Sequence, residues 1–147
     1  MVNEKGLKLY IVLTNAIVYN DKGEFLVQRR SSKELHAGGT IAYPGGKIEV
    51  EGFSEEGLLE RNVMKEVKEE TGVDIDKPEY FLSNSFLRSD GNTVVSIVFI
   101  AKYKSGEAKV VDPDEADEVM WMKFEDMKEE ESTVHWVFKR AWEHLNK

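Results

Sequence analysis

Lys65-Glu66-Val67-Lys68-Glu69-Glu70-Thr71-Gly72-Val73, preceded by Pro44-Gly45-Gly46-Lys47-Ile48-Glu49, is the run on which the reading of this chain turns. Glu66, Glu69 and Glu70 stand three and four residues apart, a spacing that puts side chains on one face of a helix. With about 100° per residue, Leu59, Val63, Val67 and Met64 form an apolar stripe. Glu66 and Glu70 fall at or inside the edge of that stripe, whereas Arg61, Lys65 and Lys68 take the opposite, solvated side. Three like charges on one face repel, and a carboxylate at a buried edge is costly unless it is paired or metal-bound. A divalent cation is the natural compensation, because hard cations take carboxylate oxygens.

Outward from this run, the 147 residues fit one domain, 1–147, long enough to bury a core without staples. There is no cysteine, which excludes a disulfide framework and a thiolate metal site. The first residues lack the basic-then-apolar pattern of a signal peptide, and the longest apolar runs, such as Val94–Ala101, are too short to span a bilayer. A soluble cytoplasmic protein is the default expectation. The formal net charge is −8. The acidic excess lies in two stretches, 49–70 and 112–131, and the rest of the chain is mildly basic. That distribution argues against duplex nucleic-acid binding, which needs a basic stripe. It suits a site that collects cations and receives an anionic substrate through them.

Leu7–Tyr19 reads as a strand, Asn20–Gly23 as a turn and Glu24–Gln28 as the returning strand. Thr40–Tyr43 reads as a short strand stopped by Pro44. Gly45-Gly46 allows a tight turn or a close approach to a ligand. Ser54 is the expected cap of a helix that ends near Thr71, with Gly72 as its C-terminal stop. Tyr80–Leu87, Thr93–Tyr103 and Glu118–Phe124 read as further strands, and Ser132–Leu145 as a closing amphipathic helix. The fold expected is α/β, of the α+β kind, with helices on a mostly antiparallel or mixed sheet.

These motifs resemble the Nudix hydrolases, whose signature is G-x5-E-x7-R-E-U-x-E-E-x-G-U with U aliphatic. Glu66-Val67-Lys68-Glu69-Glu70-Thr71-Gly72-Val73 matches its second half, and Pro44-Gly45-Gly46-Lys47-Ile48-Glu49 is similar to its opening. The resemblance runs from the first hairpin to the strand containing Trp121. It implies an α/β/α sandwich with a loop–helix–loop metal site. The chain departs from the pattern in three ways. Gly46 to Glu66 is five residues longer, the signature arginine is Lys65, and the glutamate eight residues before it is Gly57. Counting from Gly45 makes Glu51 the first glutamate. In the family the arginine and that glutamate support the site. Lys65 keeps the charge but not the bidentate fork.

The resemblance implies hydrolysis of a pyrophosphate bond with magnesium (Mg2+) or manganese (Mn2+) as cofactor. Glu69 and Glu70 are then the main metal ligands, and Glu66 either binds a second metal or acts as the base. The Gly45 carbonyl is implied as a further ligand. Glu115, six residues before Trp121, is another, with a solvated loop glutamate as its equal alternative. Arg29 and Arg30, at the end of the second strand, and Lys47, beside the Gly-Gly pair, are candidates for phosphate contact. His36, His135 and His144 read as structural or exposed, and Tyr19, Phe86, Phe99, Trp136 and Trp142 as core. The expected partner is a small nucleotide or another nucleoside diphosphate derivative, bound by a monomer or homodimer. A nucleoside triphosphate, ordinary or oxidised, cleaved to monophosphate and pyrophosphate is the leading substrate. The alternative is a nucleotide-binding module of the same fold that is weak or inactive in turnover, favoured by Gly57 and Lys65.

Overall fold

The computed structural model describes residues 2–34 and 36–147. Among the described residues the backbone forms eight strands and two α-helices. They are β1 (Ile11–Tyr19), β2 (Glu24–Arg30), β3 (Ile41–Ala42), β4 (Gly45–Lys47), α1 (Leu58–Thr71), β5 (Asp74–Ile75), β6 (Glu79–Leu87), β7 (Thr93–Ser105), β8 (Ala116–Lys123) and α2 (His135–Leu145). The strands make one mixed sheet. β1 runs parallel to β7 from Ile11↔Val94 to Tyr19↔Lys102. Parallel neighbours require a long crossover, and the crossover here carries β2, β3, β4 and α1. The other pairings are antiparallel, with β2 between β3 and β8, β4 on β1, and β6 on the far side of β7.

Side chains alternate across a strand, and both faces of this sheet are covered. Ile17, Phe25, Val27, Val98 and Ile100 pack with Val137, Phe138 and Ala141 of α2. Ala16, Val18, Leu26, Phe99 and Ala101 pack on the opposite face with Val63 and Val67 of α1. The result is the expected α/β/α sandwich. Val63 and Val67 are fully buried, and burial of each such side chain stabilises by about 1.5–3 kcal/mol.

Several boundaries differ from the sequence reading. β1 begins at Ile11, and Leu7, Leu9 and Tyr10 are exposed rather than paired into it. α1 begins at Leu58, not at a Ser54 cap. Its N-cap is Gly57 in the left-handed region, with no side-chain cap. The physical reason lies in the preceding loop. Glu55 accepts hydrogen bonds from the Arg61 guanidinium and from the Glu51 amide, so the chain wraps around Arg61 instead of entering the helix early. The far end is as expected, with Gly72 at φ 79° bonding its amide to the Lys68 carbonyl. Met64 is 40% exposed, and the fully buried polar residues on the helix are Asn62 and Thr71. β5 is two residues long, too short for any period to reveal.

Asn62 is the tie between α1 and the sheet. Its Nδ2 donates to Thr14 Oγ1 on β1 at 2.8 Å and to the Lys47 carbonyl on β4 at 3.2 Å. Its Oδ1 accepts from the Glu49 amide at 3.0 Å. Removing a partner from buried polar groups costs the desolvation of each group left unpaired. Asn62→Ala is expected to lower unfolding free energy by about 2–4 kcal/mol in urea titrations. A loss under about 0.5 kcal/mol would show that water replaces the amide without penalty.

Candidate active site

The site starts where β4 crosses β1. Gly45 pairs with Asn15 so closely that a Cβ at Gly45 would collide with Asn15 Oδ1 and the Thr14 carbonyl. A Cβ at Gly46 would stand 2.5 Å from Glu66 Oε2. The two glycines are therefore a fit requirement, not a tight turn, because the pair lies inside a strand. The absence of side chains lets the backbone reach the last two turns of α1. There the Gly45 amide donates to Glu70 Oε2 at 2.9 Å.

Glu70 is the most perturbed carboxyl of the group. Burial raises its pKa from 4.5 to about 8. The Gly45 hydrogen bond and Arg30 pull it down, while the Glu66 and Glu115 charges push it up. Glu66 is also raised, first by partial burial and then by Glu69. Glu115 is raised by desolvation and by Asp112 and Glu34, and Glu69 adds to it. The acids expected at the site, on α1 and just before β8, therefore feel one another. Among the described residues no three of them already converge into a ligand shell. Glu70 is turned onto the Gly45 amide, and Glu69 lies 3.8 Å from Lys65. A half-buried acid that desolvation keeps protonated, with two further carboxylates around it, is a donor set suited to a hard divalent cation.

Lys65 bridges Glu49 at 3.0 Å as well as Glu69, so it links the end of the glycine segment to the helix. A guanidinium also stands on this side, one turn earlier. Arg61 is bound by Glu55, lies 3.4 Å from Glu51, and donates to the Glu49 carbonyl. The helical wheel assigns Arg61 to solvent, but its side chain is only 28% exposed. The signal that finds it is the insertion itself, because a longer loop rich in glutamate needs a cation to fold around. The bidentate fork that Lys65 lacks is supplied from position 61.

The candidate cationic residues separate. Arg29 is occupied by Glu118 at 2.9 Å and the Gly39 carbonyl at 3.0 Å. Arg30 points to the other side of β2 and lines a cavity of about 510 Å³, while its charge acts on Glu70 and Glu115. Lys47 is exposed at the end of β4. Phe99 is core on the α1 face, and Tyr19 and Trp142 pack against the core of the α2 face, as expected. Phe86 and Trp136 are not core. They line the cavity, and His36 stacks on Phe86 at 5.7 Å with the rings 7° apart. Their role is invisible in sequence because the cavity is assembled from β6, the 31–40 loop and the start of α2.

Residues 10–142 match the family model described as NUDIX domain, and the chain belongs to that family. It is a Nudix-type hydrolase, and the activity that goes with the family is hydrolysis of a pyrophosphate bond. The fold is similar to the MutT NUDIX hydrolase of Burkholderia pseudomallei at 25% identity. That match covers 88% of this chain and 95% of the other, with a TM-score of 0.74. It is similar to the MutT protein of Methanosarcina mazei Go1 at 29% identity, covering 95% and 97% of the two chains, with a TM-score of 0.73. The NUDIX domain of Shewanella oneidensis NrtR, solved in complex with ADP ribose, shares the fold at 20% identity, 97% and 93% coverage and a TM-score of 0.73. No curated protein sequence matches the chain.

The raised pKa of Glu70 has a definite sign for stability. The folded protein holds this proton up to about pH 8, while the unfolded carboxyl releases it near its ordinary 4.5. The stabilisation is complete below the unfolded value and is lost as pH rises through the folded one. Metal-free protein is therefore expected to melt at progressively lower temperature between about pH 5 and pH 8.5. Glu70→Gln, which cannot ionise, should show a flatter profile in thermal scans across the same range. Parallel profiles for the two proteins would contradict the assignment.

Proposed function

We propose that the chain hydrolyses a pyrophosphate bond in a nucleoside diphosphate-linked substrate, using a divalent cation held by Glu66, Glu69 and Glu70. The observation that carries this reading is the half-buried Glu70 among its acidic neighbours, with Arg30, whose charge acts on Glu70 and Glu115, at the wall of a cavity of about 510 Å³. The leading substrate is a nucleoside triphosphate, ordinary or oxidised, cleaved to monophosphate and pyrophosphate. The similarity to two MutT proteins supports that choice. The ADP ribose complex of the NrtR domain supports a nucleoside diphosphate as the common element.

A bound magnesium or manganese ion neutralises phosphate charge and acidifies water. Glu70 and Glu69 would hold it, with Glu115 and the Gly45 carbonyl as further donors. As ligands Glu70 would be ionised and Glu69 would be free of its contact with Lys65. Glu66 either binds a second ion or takes the proton from the attacking water. Arg30 contacts phosphate between cavity and acids, and its fork suits two phosphate oxygens. Lys65, through Glu49, and Arg61, through Glu55 and Glu51, fix the loop that carries the Gly45-Gly46 segment into α1. Arg61 thus offsets the departures at Gly57 and Lys65 that favour a binding module.

Product release from ordinary and oxidised nucleoside triphosphates, nucleotide sugars and dinucleoside polyphosphates, with and without magnesium, tests the proposal. Metal-dependent release of a monophosphate from one class is expected, and Glu70→Gln should lower kcat roughly a hundredfold or more. Full turnover in Glu70→Gln would overturn the metal assignment. No turnover with magnesium or manganese would favour the binding module.

A further inference from the structure

β6 forms one margin of the sheet. It pairs with β7, and among the described residues no strand pairs with its other edge and no backbone–backbone hydrogen bond beyond the sheet involves it. An edge strand offers a row of backbone donors and acceptors to another chain, and proteins blunt such edges with charge, proline or shortness. The margin formed by β8 is blunted by Asp117, Glu118 and Lys123. β6 is nine residues long, and Tyr80–Leu87 has neither charge nor proline. Its one irregularity is a bulge at Phe81, near the start, so the run from Leu82 to Leu87 stays in regular register with β7.

Residues opposed across two strands share a face, so the register with β7 sorts the strand. Tyr80 opposes Phe99 and Leu87 opposes Thr93, which places both on the α1 side of the sheet with Ser83 and Ser85 between them. They lie open: Tyr80 is 63% and Leu87 70% exposed, and both serines are exposed. Leu82, Asn84 and Phe86 face the α2 side. The strand opens on Glu79, and the chain leaves it on Arg88. An antiparallel partner runs the other way, so a second copy of this strand presents base to acid at one end and acid to base at the other. A two-fold axis normal to the sheet must pass through one residue, because opposed side chains stay on one face. With the axis at Asn84, Ser83 meets Ser85 of the second copy and Leu82 meets Phe86. The bulge takes up Phe81, so Leu87 then meets Tyr80 and Arg88 meets Glu79. Moving the axis one residue either way sets Phe86 against Glu79 or Arg88 against Leu82.

We propose that β6 is a homodimer edge: two copies of this chain pair their β6 strands antiparallel about a two-fold axis at Asn84, joining the two sheets into one. The occupant is a second copy because the strand is its own complement in charge and in shape. Tyr80 and Leu87, the large apolar side chains that the strand leaves exposed, cover one another on both sides of the axis. Glu79 and Arg88 pair at both ends. Arg88 already holds Asp90, and its guanidinium has donors left for a second carboxylate. Asn84, Phe86 and Leu87 also line the cavity, so the cavities of the two copies flank the axis. The pairing does not depend on which substrate the protein cleaves.

Sedimentation of the intact protein over a dilution series tests this. The 16.8 kDa chain should rise to twice that mass, with a Kd of about 100 μM or tighter. Glu79→Arg and Arg88→Glu should each weaken the dimer roughly tenfold, and the two together should restore it. Cross-linking reads the register, because the chain has no cysteine of its own. Ser83→Cys protein mixed with Ser85→Cys protein should form the mixed disulfide faster than either variant links to itself. Opposed residues stand about 4.5–5.5 Å apart at Cα, within disulfide reach, whereas diagonal ones do not. Both serines are exposed, so neither variant disturbs the core. A monomer at every concentration overturns the proposal and leaves the edge to a strand of another protein. So does a dimer indifferent to the charge reversals, or one in which the two cysteine variants link no faster together than alone.

Discussion

The contact between the Gly45 amide and the Glu70 carboxyl is the constraint around which the rest is arranged. It exists only because β4 lies on β1 with no side chain between them. It brings the carboxyl of a core-facing helix under a strand, where water is excluded and the charged form is disfavoured. Every larger feature serves that approach. Val63 and Val67 press α1 onto the sheet, Asn62 fixes its rotation and height, and Arg61 and Lys65 anchor the loop that leads from the glycines into the helix.

The two-sided core explains why such a site is stable while holding mutually repelling acids. α1 and α2 cover opposite faces, so the sheet is a rigid floor with apolar layers above and below. The acids sit at one margin of the α1 layer and the nucleotide-sized cavity at the margin of the α2 layer, on the other side of β1 and β4. The cost at the acidic margin, a protonated Glu70, is of the kind that a bound cation would relieve.

Much of this was legible in the chain. The glutamate spacing and the apolar stripe follow a period that helix geometry imposes, so the body of α1, its Gly72 stop and the half-buried place of Glu70 could be read directly. The hairpin strands followed from their β-branched and aromatic residues around a turn, and the sheet covered on both faces followed from the family resemblance. What escaped depended on partners distant in sequence. Arg61 looks solvated on a wheel because the wheel omits the loop that folds back over it. Glu55 looks like a first-turn acid because the wheel of a longer helix includes it. Asn62 looks unremarkable until Thr14, Lys47 and Glu49 are placed around it. Phe86 and Trp136 read as core because sequence shows that an aromatic will be buried, not whether a ligand or another side chain buries it. Arg29 and Arg30 are indistinguishable as neighbours, and only the faces of β2 separate them.

The most direct test of the account is the proton balance of metal binding. Calorimetry of manganese binding at pH 7, run in buffers of different ionisation enthalpy, counts protons released per ion. Glu70 is protonated at that pH when no cation is present, and a ligand carboxyl must ionise to bind a metal. Wild-type protein should release about one proton per site, and Glu70→Gln should bind weakly with none released. Tight manganese binding without proton release, or unchanged release in Glu70→Gln, would contradict the claim that the buried Glu70 is the acid a cation discharges.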